Sequence, residues 1–414
     1  MKKILTLFCG LCLFTASFAQ QQEAESNPSE QFDEAVKRLQ RLNISGYIQT
    51  QYQWGEKDAL LNIGAPNENT EKSFSRIGVR RGFIRLAYEE GITSGTFQFN
   101  VTEKGITLKD AFLNIYDPWL GSNALKAGIF NRPFGDEISY SSLQRESPER
   151  STIFLTLFPE ERDLGAMLLL QAKNTSPWNF MKLEAGLFAG NGIKQETDSR
   201  KDFIGHLSAS KNIRGDFTIS GGVSYYNGGV YQGSDNVYKM EGGSFVLNNN
   251  PGNQGKFAKR EYFGFAGQSG IKNRLGTTWL RAEYLFGKQP GNLLSSKSPN
   301  ASVLPASDTY IRNFNGGYVA LTHDLATLPL SVVLKYDWYD PNTKTAGNNI
   351  GLNHSGPGDI AQSAFGFGML WYVNSSLRLQ AYYEINKNEK TENLTAYTDD
   401  RKDNVFTLRL QYKF

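Results

Sequence analysis

Cysteine is almost absent from this 414-residue chain, and its two cysteines, Cys9 and Cys12, lie close to the start. The chain opens with Lys2 and Lys3, an apolar run over residues 4–14 and a small-residue stretch that ends at Ala19. This is the pattern of a secretory signal peptide, so we expect residues 1–19 to be removed on export. The mature chain then has no thiol, which excludes disulfide bonds and cysteine metal sites.

Long apolar runs and excess charge are missing as well. After the expected signal peptide, no segment approaches the roughly 18 apolar residues that a membrane-spanning helix needs. The chain has 44 Lys and Arg residues and 41 Asp and Glu residues, and loss of Lys2 and Lys3 lowers its net charge from +3 to +1. A balance this even predicts no nucleic-acid partner, so any charge selectivity must come from local arrangement.

Catalytic and metal-binding motifs are scarce too. The histidines are His206, His323 and His354, and none has a partner at a spacing typical of a metal pair or a Ser-His dyad. The sequence contains no nucleophile elbow, zinc-protease motif or phosphate-binding loop. We therefore expect that the protein is not an enzyme and uses no cofactor or metal.

Aromatic residues and glycine are abundant, with 27 Phe, 20 Tyr, 6 Trp and 41 Gly. They accompany a strict alternation that is clearest over residues 404–414. One face there carries Phe406, Leu408, Leu410, Tyr412 and Phe414, and the other carries Thr407, Arg409, Gln411 and Lys413. The apolar face could meet a second sheet in a soluble sandwich or lipid in an outer-membrane barrel. Alternation leaves both open, but the terminal Phe414 resembles the closing-strand signal of bacterial outer-membrane barrels.

The number and sorting of alternating segments favour the barrel. Sixteen segments of about the length that crosses a bilayer at a tilt are predicted, at 42–54, 76–90, 92–103, 107–116, 123–132, 163–173, 180–189, 202–211, 216–228, 260–270, 275–287, 313–324, 329–340, 361–373, 376–388 and 404–414. Short connections mostly alternate with long polar ones, as in outer-membrane barrels. We expect an all-β fold, a transmembrane antiparallel β-barrel of about 16 strands over residues 42–414, in the bacterial outer membrane with both termini in the periplasm.

Residues 20–41 are expected to form a polar segment that ends in a short periplasmic helix starting near Ser29. Phe32, Val36 and Leu39 form an apolar stripe along this helix. The stripe fits a helix that leads into the barrel, and it also fits a trimerisation helix. Both interpretations stay open.

The inward face of the predicted strands carries more basic than acidic residues. A barrel of this size is too wide for side chains to fill, so these residues should line an aqueous channel. The basic residues predicted to line it are Arg81, Arg85, Lys126, Arg132, Arg281, Lys335, Arg378 and Arg409, and acidic ones are Asp110, Glu283, Asp337 and Glu384. For Arg81 and Arg85, bracing ion pairs and free anion-guiding charges are both open.

Residues 128–137 are the least generic run of the chain. A predicted strand ends at Pro133, which cannot donate to a sheet, and the charge-rich third long loop follows. The residues expected to form a constriction are Phe134, Asp136, Glu137, Arg145, Glu149 and Arg150. For the charged ones, internal salt bridges are favoured over solute contact, and Phe134 is expected to anchor the loop.

At this point the sequence resembles the phosphate-selective porin O and P family. The matching pieces are the runs 133–137, 149–151, 162–165 and 188–192 and the arginine-rich residues 80–85. The likeness is sharpest between residues 76 and 192. It implies a barrel of sixteen strands, often a homotrimer, whose third loop folds into the lumen and narrows it. Family members with dense ladders of Arg and Lys guide phosphate, whereas here the basic residues are spread over many strands.

These features together predict an outer-membrane porin. It would form a water-filled channel for passive diffusion of small hydrophilic solutes, with a mild preference for anions such as phosphate. The expected partners are outer-membrane lipid, those solutes and further copies of the chain in a homotrimer. The alternative is a non-conducting structural or ligand-binding outer-membrane barrel.

Overall fold

The computed structural model describes residues 28–414, so the expected signal peptide lies outside the described residues. The chain divides after Asn43 into two compact units. The first contains helix α1 (Pro28–Gln40), which starts one residue before the predicted position. Proline suits a first helical position because no partner exists there for an N–H group. None of the helices within residues 28–414 is long and apolar enough to cross a membrane. The packing of the helix stays a prediction.

The second unit is a closed antiparallel barrel of sixteen strands, so the predicted fold class is confirmed. All the predicted strands are present, with ends shifted by a few residues. The strands are β1 (Leu42–Gly55), β2 (Phe74–Glu90), β3 (Thr93–Thr102), β4 (Gly105–Tyr116), β5 (Ala124–Asn131), β6 (Arg162–Gln171), β7 (Met181–Phe188), β8 (Asp202–Ile213), β9 (Phe217–Tyr231), β10 (Asn236–Glu241), β11 (Ser244–Asn249), β12 (Phe257–Asn273), β13 (Gly276–Gly291), β14 (Thr309–Leu325), β15 (Leu330–Asp340), β16 (Gln362–Tyr372), β17 (Leu377–Asn388) and β18 (Val405–Lys413). The barrel consists of β1–β9 and β12–β18, since β9 pairs directly with β12.

The alternation of each strand follows from the different surroundings of its two faces. In β15, Ser331, Val333, Lys335, Asp337 and Tyr339 are buried inside the barrel, whereas Val332, Leu334 and Tyr336 are exposed on its outside. Charged side chains therefore point inward and apolar side chains outward. This is the reverse of a soluble protein and is typical of a barrel surrounded by lipid.

The last strand closes the barrel, as predicted. Strand β18 pairs with β1 from Tyr47 opposite Lys413 to Gly55 opposite Val405. Beyond the strand, the backbone groups of Gly46 and Phe414 exchange two hydrogen bonds of 3.1 Å. The terminal residue thus completes the ladder, and the sheet has no free edge at this seam.

One long connection has a structure that the sequence did not predict. Between β9 and β12, strands β10 and β11 form an additional hairpin. Strand β10 also pairs in parallel with the start of β14, where Val237 lies opposite Thr309. The rings of Tyr238 and Tyr310 stack at 4.4 Å between centroids. This loop therefore extends the sheet beyond the barrel wall.

Gly128 of β5 allows the close packing of the barrel wall to be tested. Its φ is +127, and a side chain there would collide with the Ala111 carbonyl group. We expect Gly128→Ala to lower the free energy of unfolding by about 2 kcal/mol or more because of strain and collision. Urea unfolding in detergent measures this. The outward Ala127→Val is the matched control and should change the free energy by less than about 0.5 kcal/mol. Equal midpoints for wild type and Gly128→Ala would contradict the expectation.

Candidate functional site: the third loop in the barrel lumen

The third long loop, residues 132–161, connects β5 to β6 and lies inside the barrel. This confirms the inward-folded loop that the family resemblance implied. Side chains from strands all around the wall hydrogen-bond to it, among them Gln49 of β1, Arg81 of β2, Lys109 of β4, Asp163 of β6, Ser224 of β9, Glu283 of β13, Lys335 of β15, Arg378 of β17 and Arg409 of β18. The loop is therefore held from most directions across the lumen.

The loop begins by wrapping its backbone around a carboxylate of the wall. The N–H groups of Asp136 and Glu137 donate to Glu283 at 3.0 and 2.5 Å, and the Tyr318 hydroxyl group donates to it at 2.8 Å. Gly135 has a φ of +63, and a Cβ atom there would collide with the same carboxylate. Successive backbone N–H groups form anion-binding nests of this kind. The glycine of the Pro-Phe-Gly run is thus needed for the close approach.

The side chain of Glu137 ties the start of the loop to its middle. It accepts a hydrogen bond from Ser151 Oγ at 3.0 Å and from Lys335 Nζ at 2.8 Å. Burial alone would raise the pKa of Glu137, but Lys335 and nearby arginines outweigh it and lower that pKa. Helix α2 (Thr152–Leu157) starts here, and the Thr152 N–H group donates to Asp337 at 3.1 Å.

Glu149 is held by three arginines of the wall, which we call the three-arginine clamp: Arg80, Arg81 and Arg409. Arg80 donates Nε and Nη2 to the two carboxylate oxygens at 2.9 Å each, and Arg81 and Arg409 donate at 2.7 and 3.1 Å. Burial alone would raise the pKa of Glu149, but the three arginines hold that pKa well below its usual range. Stability from this carboxylate is therefore present above the unfolded pKa of about 4.3 and is lost only in stronger acid.

A second charge cluster holds the end of the loop. Arg150 and Arg162 both pair with Glu161, and Arg162 also donates two hydrogen bonds to Asp110 at 2.9 and 3.1 Å. Burial alone would raise the pKa of Glu161, but Arg150 and Arg162 lower it to about 2. Glu160 and Glu161 have φ values of 60 and 62, a left-handed conformation that is unfavourable for residues other than glycine. The ion pairs hold this turn in place.

Arg145 differs from the other loop arginines. Arg145 is 3% exposed, and none of its three guanidinium nitrogens has a hydrogen-bond partner within residues 28–414. Burial first, and then the charges of Arg150 and Arg81, lower the pKa of Arg145 to about 9. The loop thus contains one buried cation that lacks a hydrogen-bonded counterion in the described chain.

Apolar residues of the loop fill one side of the lumen. Phe134 is fully buried, and its ring centroid lies 4.9 Å from that of Phe158 and 6.3 Å from that of Tyr262. Helix α2 adds buried Ile153, Phe154 and Leu157. These residues pack on inward aromatic side chains of β9–β15, namely Tyr226, Tyr262, Phe314, Tyr318 and Tyr339. Phe134 thus packs within this cluster, and its role as the anchor of the loop stays a prediction.

Two polar cavities flank the loop. The outer cavity, of about 600 Å³, is lined by loop residues 148–160 and by the ends of β1, β16, β17 and β18 that face the long loops. The inner cavity, of about 310 Å³, is lined by loop residues 132–139 and by β2 and β4–β8. The two cavities share no lining residue. The loop therefore stands between them.

The residues predicted to line the channel fall into two groups. Five pair with carboxylates, namely Arg81, Arg132, Arg281, Lys335 and Arg409, and Arg378 donates to loop carbonyl groups.

Arg85 and Lys126 have no ion pair within residues 28–414 and line the inner cavity. The Lys126 Nζ atom lies 4.6 Å from the ring centroid of Phe112. Asp136 also lines this cavity, 3.7 Å from His206 Nε2. Their contact with solutes stays a prediction.

Sequence reasoning did not identify several residues that shape the site. Glu283 was placed on the inward face, but its nest of backbone N–H groups was not foreseen. The inward aromatics of β9–β15 were also missed, although large aromatic residues at inward positions of neighbouring strands indicate that this side of the lumen is filled. Gln49 and Gln51, inward on β1, hold the guanidinium groups of Arg81 and Arg409.

The three histidines lie in separate parts of the barrel unit. His206 hydrogen-bonds Ser224, His323 hydrogen-bonds Thr278, and the ring of His354 lies 5.1 Å from that of Tyr238. No group of three metal-binding side chains occurs in the part of the chain that the structure describes. The expectation that the protein is no enzyme and uses no cofactor stays a prediction.

The nest at Glu283 leads to a prediction about the start of the loop. Glu283→Gln replaces one of the two acceptor oxygens with an NH2 group, so one backbone N–H group of the loop loses its partner, and a buried donor left without a partner costs about 1–3 kcal/mol. We expect hydrogen exchange of the amides over residues 135–138 to become about tenfold faster or more, as measured by mass spectrometry. Glu184→Gln is the matched control, because Glu184 pairs with Lys182 at 2.9 Å. Unchanged exchange in Glu283→Gln would show that the nest does not hold the loop.

Known structures share this architecture. OprB of Pseudomonas putida aligns with a TM-score of 0.57 at 9% identity, over 93% of this chain and 97% of that chain. The outer membrane channel DcaP of Acinetobacter baumannii gives 0.54 at 14% identity, over 90% and 97%. OmpT, an outer membrane protein of Vibrio cholerae in its trimer form, gives 0.53 at 11% identity, over 90% and 99%.

No protein-family model matches the sequence, and no curated protein matches it either. The resemblance to the phosphate-selective porin O and P family therefore stays a prediction. Identities of 9–14% show the fold alone. That fold is the sixteen-stranded barrel of outer-membrane proteins.

Proposed function

We propose that this protein is a passive outer-membrane porin for small hydrophilic solutes, with a mild preference for anions such as phosphate. The observation that carries the proposal is a sixteen-stranded barrel whose lumen keeps two polar cavities, of about 600 and 310 Å³, beside an inward loop. Sixteen strands enclose more space than inward side chains fill. Charged and amide side chains line this space, and such a lining favours hydrated solutes.

The outer face supports a location in the outer membrane with lipid as a partner. Its exposed residues are apolar, and aromatic ones such as Tyr284, Phe286, Phe365 and Phe367 lie on strand halves that face the long loops. Aromatic girdles of this kind occur at membrane interfaces. A homotrimer is part of the proposal, and the trimer form of the similarly folded OmpT supports it.

The distribution of unpaired charge supports a mild preference for anions. Within residues 28–414, Arg85 and Lys126 give the inner cavity two cations without an ion pair, and Asp136, 3.7 Å from His206 Nε2, gives it one carboxylate without a Lys or Arg partner. The outer cavity adds little to this preference, because its lining mixes the carboxylates of Asp58, Glu384 and Asp403 with the basic groups of Lys297, Lys387 and Arg401. Anions should therefore be favoured chiefly at the inner cavity, which leaves a small net preference.

Planar-bilayer recording of the purified protein tests the proposal. We expect stepwise conductance and, in a KCl gradient, a reversal potential on the anion side. Arg85→Glu should move that potential toward cations, and Arg85→Glu with Lys126→Glu should move it further, because each replacement changes the local charge by two units. A folded protein without conductance would favour the non-conducting barrel.

Arg274→Glu is the matched control for these variants. Arg274 lies exposed in the short turn between β12 and β13 and lines neither cavity. Its replacement makes the same charge change and should leave the reversal potential close to that of the wild type. An equal shift in Arg274→Glu and Arg85→Glu would remove the assignment of the preference to the inner cavity.

The outer cavity generates a pH prediction. Burial raises the pKa of Asp403 to about 6; Arg401 opposes this rise, and Asp400 and Asp58 add to it. Asp403 is therefore charged at pH 7 and neutral at pH 5, so anion preference should increase as the pH falls through 6. Asp403→Asn should show a smaller change of reversal potential between pH 7 and 5. Glu241→Gln, at the exposed hairpin tip, should behave like the wild type. The same pH dependence in Asp403→Asn would rule this residue out.

A further inference from the structure

The three-arginine clamp keeps two of its guanidinium groups in place through contacts that do not involve Glu149. Arg81 donates to Gln49 Oε1 at 3.1 Å. Arg409 donates to Gln51 Oε1 at 2.9 and 2.7 Å and to the Pro148 carbonyl group at 2.9 Å. Because Gln49 and Gln51 belong to β1, the wall orients two of the three guanidinium groups without Glu149, whereas the contact to Pro148 comes from the loop itself.

The clamp also has more positive charge than Glu149 neutralises. Three arginines face one carboxylate, which leaves a local charge of +2. Arg145 adds to this charge, because it is 3% exposed, its three guanidinium nitrogens have no hydrogen-bond partner in the described part of the chain, and it interacts electrostatically with Arg81 and Glu149. Buried charges of one sign are unfavourable without counterions. The surroundings of Glu149 therefore attract further negative charge.

Solutes can approach this position from the outer cavity. Glu149 lies in the lining of that cavity, beside Pro148 and Arg150. Its side chain is 12% exposed, compared with 26% for Arg80, 7% for Arg81 and 1% for Arg409. A cavity of about 600 Å³ has room for a small organic anion next to the carboxylate. The occupant of the clamp thus faces the space through which solutes would arrive.

We propose that the three-arginine clamp is a binding site for carboxylate solutes, in which Glu149 is a tethered occupant that an incoming carboxylate displaces. The geometry favours this class of ligand, because Arg80 already donates Nε and Nη2 to the paired oxygens of a carboxylate. Glu149 gives way only where the solute concentration outweighs the advantage of an attached carboxylate. Exchange loosens residues 147–149, while Arg145 and Arg150 keep their own hydrogen bonds. This role rests on the proposed function, since the solute must enter the lumen.

Chemical rescue tests the site. Glu149→Ala removes the part of the side chain that acetate resembles. Thermal unfolding of the purified protein in detergent is compared in sodium acetate and in sodium chloride at equal ionic strength. We expect the variant to be less stable than the wild type in chloride and to recover in acetate, with an apparent acetate affinity at least tenfold above that of the wild type.

Glu160→Ala is the matched control. Glu160 also lines the outer cavity, but it pairs with the single Lys109, at 3.1 Å. Its replacement removes the same charge and should give the same response to acetate as the wild type. A folded Glu149→Ala protein that responds to acetate no more than the wild type and Glu160→Ala would overturn the proposal.

Two further outcomes are defined if Glu149→Ala does not refold in chloride. Refolding in acetate supports the site. If neither salt allows refolding, hydrogen exchange of residues 145–151 in the wild type decides: faster exchange in acetate than in chloride supports displacement, and equal rates overturn it. These measurements do not depend on conductance. Acetate rescue of Glu149→Ala in a protein that shows no conductance would therefore contradict the porin function and support the binding site.

Discussion

Buried ion pairs between the third loop and the barrel wall are the constraint on which the rest of the lumen depends. Removing one partner of such a pair leaves an unpaired buried charge and costs about 3–5 kcal/mol. Lys335 with Glu137 and the clamp with Glu149 are pairs of this kind on different parts of the wall. Because these contacts hold the loop from several sides, its position sets the size, lining and charge of both cavities.

The loop also solves a packing problem of wide barrels. Inward side chains alone leave a wide space, and a wall around water lacks the close packing that stabilises a protein interior. Here Phe134, Phe154 and Phe158 bring apolar surface into the lumen and pack against aromatic residues of β9–β15. One side of the barrel thus contains a conventional core, and the polar side is left for water and ions.

The strands could be predicted from the sequence because their two faces meet different surroundings, so the period of two is strong in every wall segment. The partners of the inward charged side chains could not be predicted from the sequence. Arg81 and Arg85 lie on the same face of one strand, yet Arg81 is buried against Glu149, whereas Arg85 has no ion pair among residues 28–414. Alternation gives the direction of a side chain, whereas its partner depends on where a loop 68 positions away is held.

The β10–β11 hairpin was not predicted, for a related reason. Its strands are short and lie in a long polar connection, and their pairing with β14 depends on Val237 and Thr309 meeting across the barrel mouth. The nest around Glu283 likewise depends on backbone conformation. The Pro-Phe-Gly run permits this conformation but does not predict it. Local sequence thus identified the loop as special, and the contacts that explain it are long-range.

The hydrogen bond from Arg409 to the Pro148 carbonyl group joins positions 261 residues apart, and β18 itself pairs with β1. Contacts of such separation form late in folding, because the entropy of closing long chain segments opposes them. Both terminal strands donate side-chain hydrogen bonds to the loop. Closing the barrel and filling its lumen therefore depend on the same late contacts.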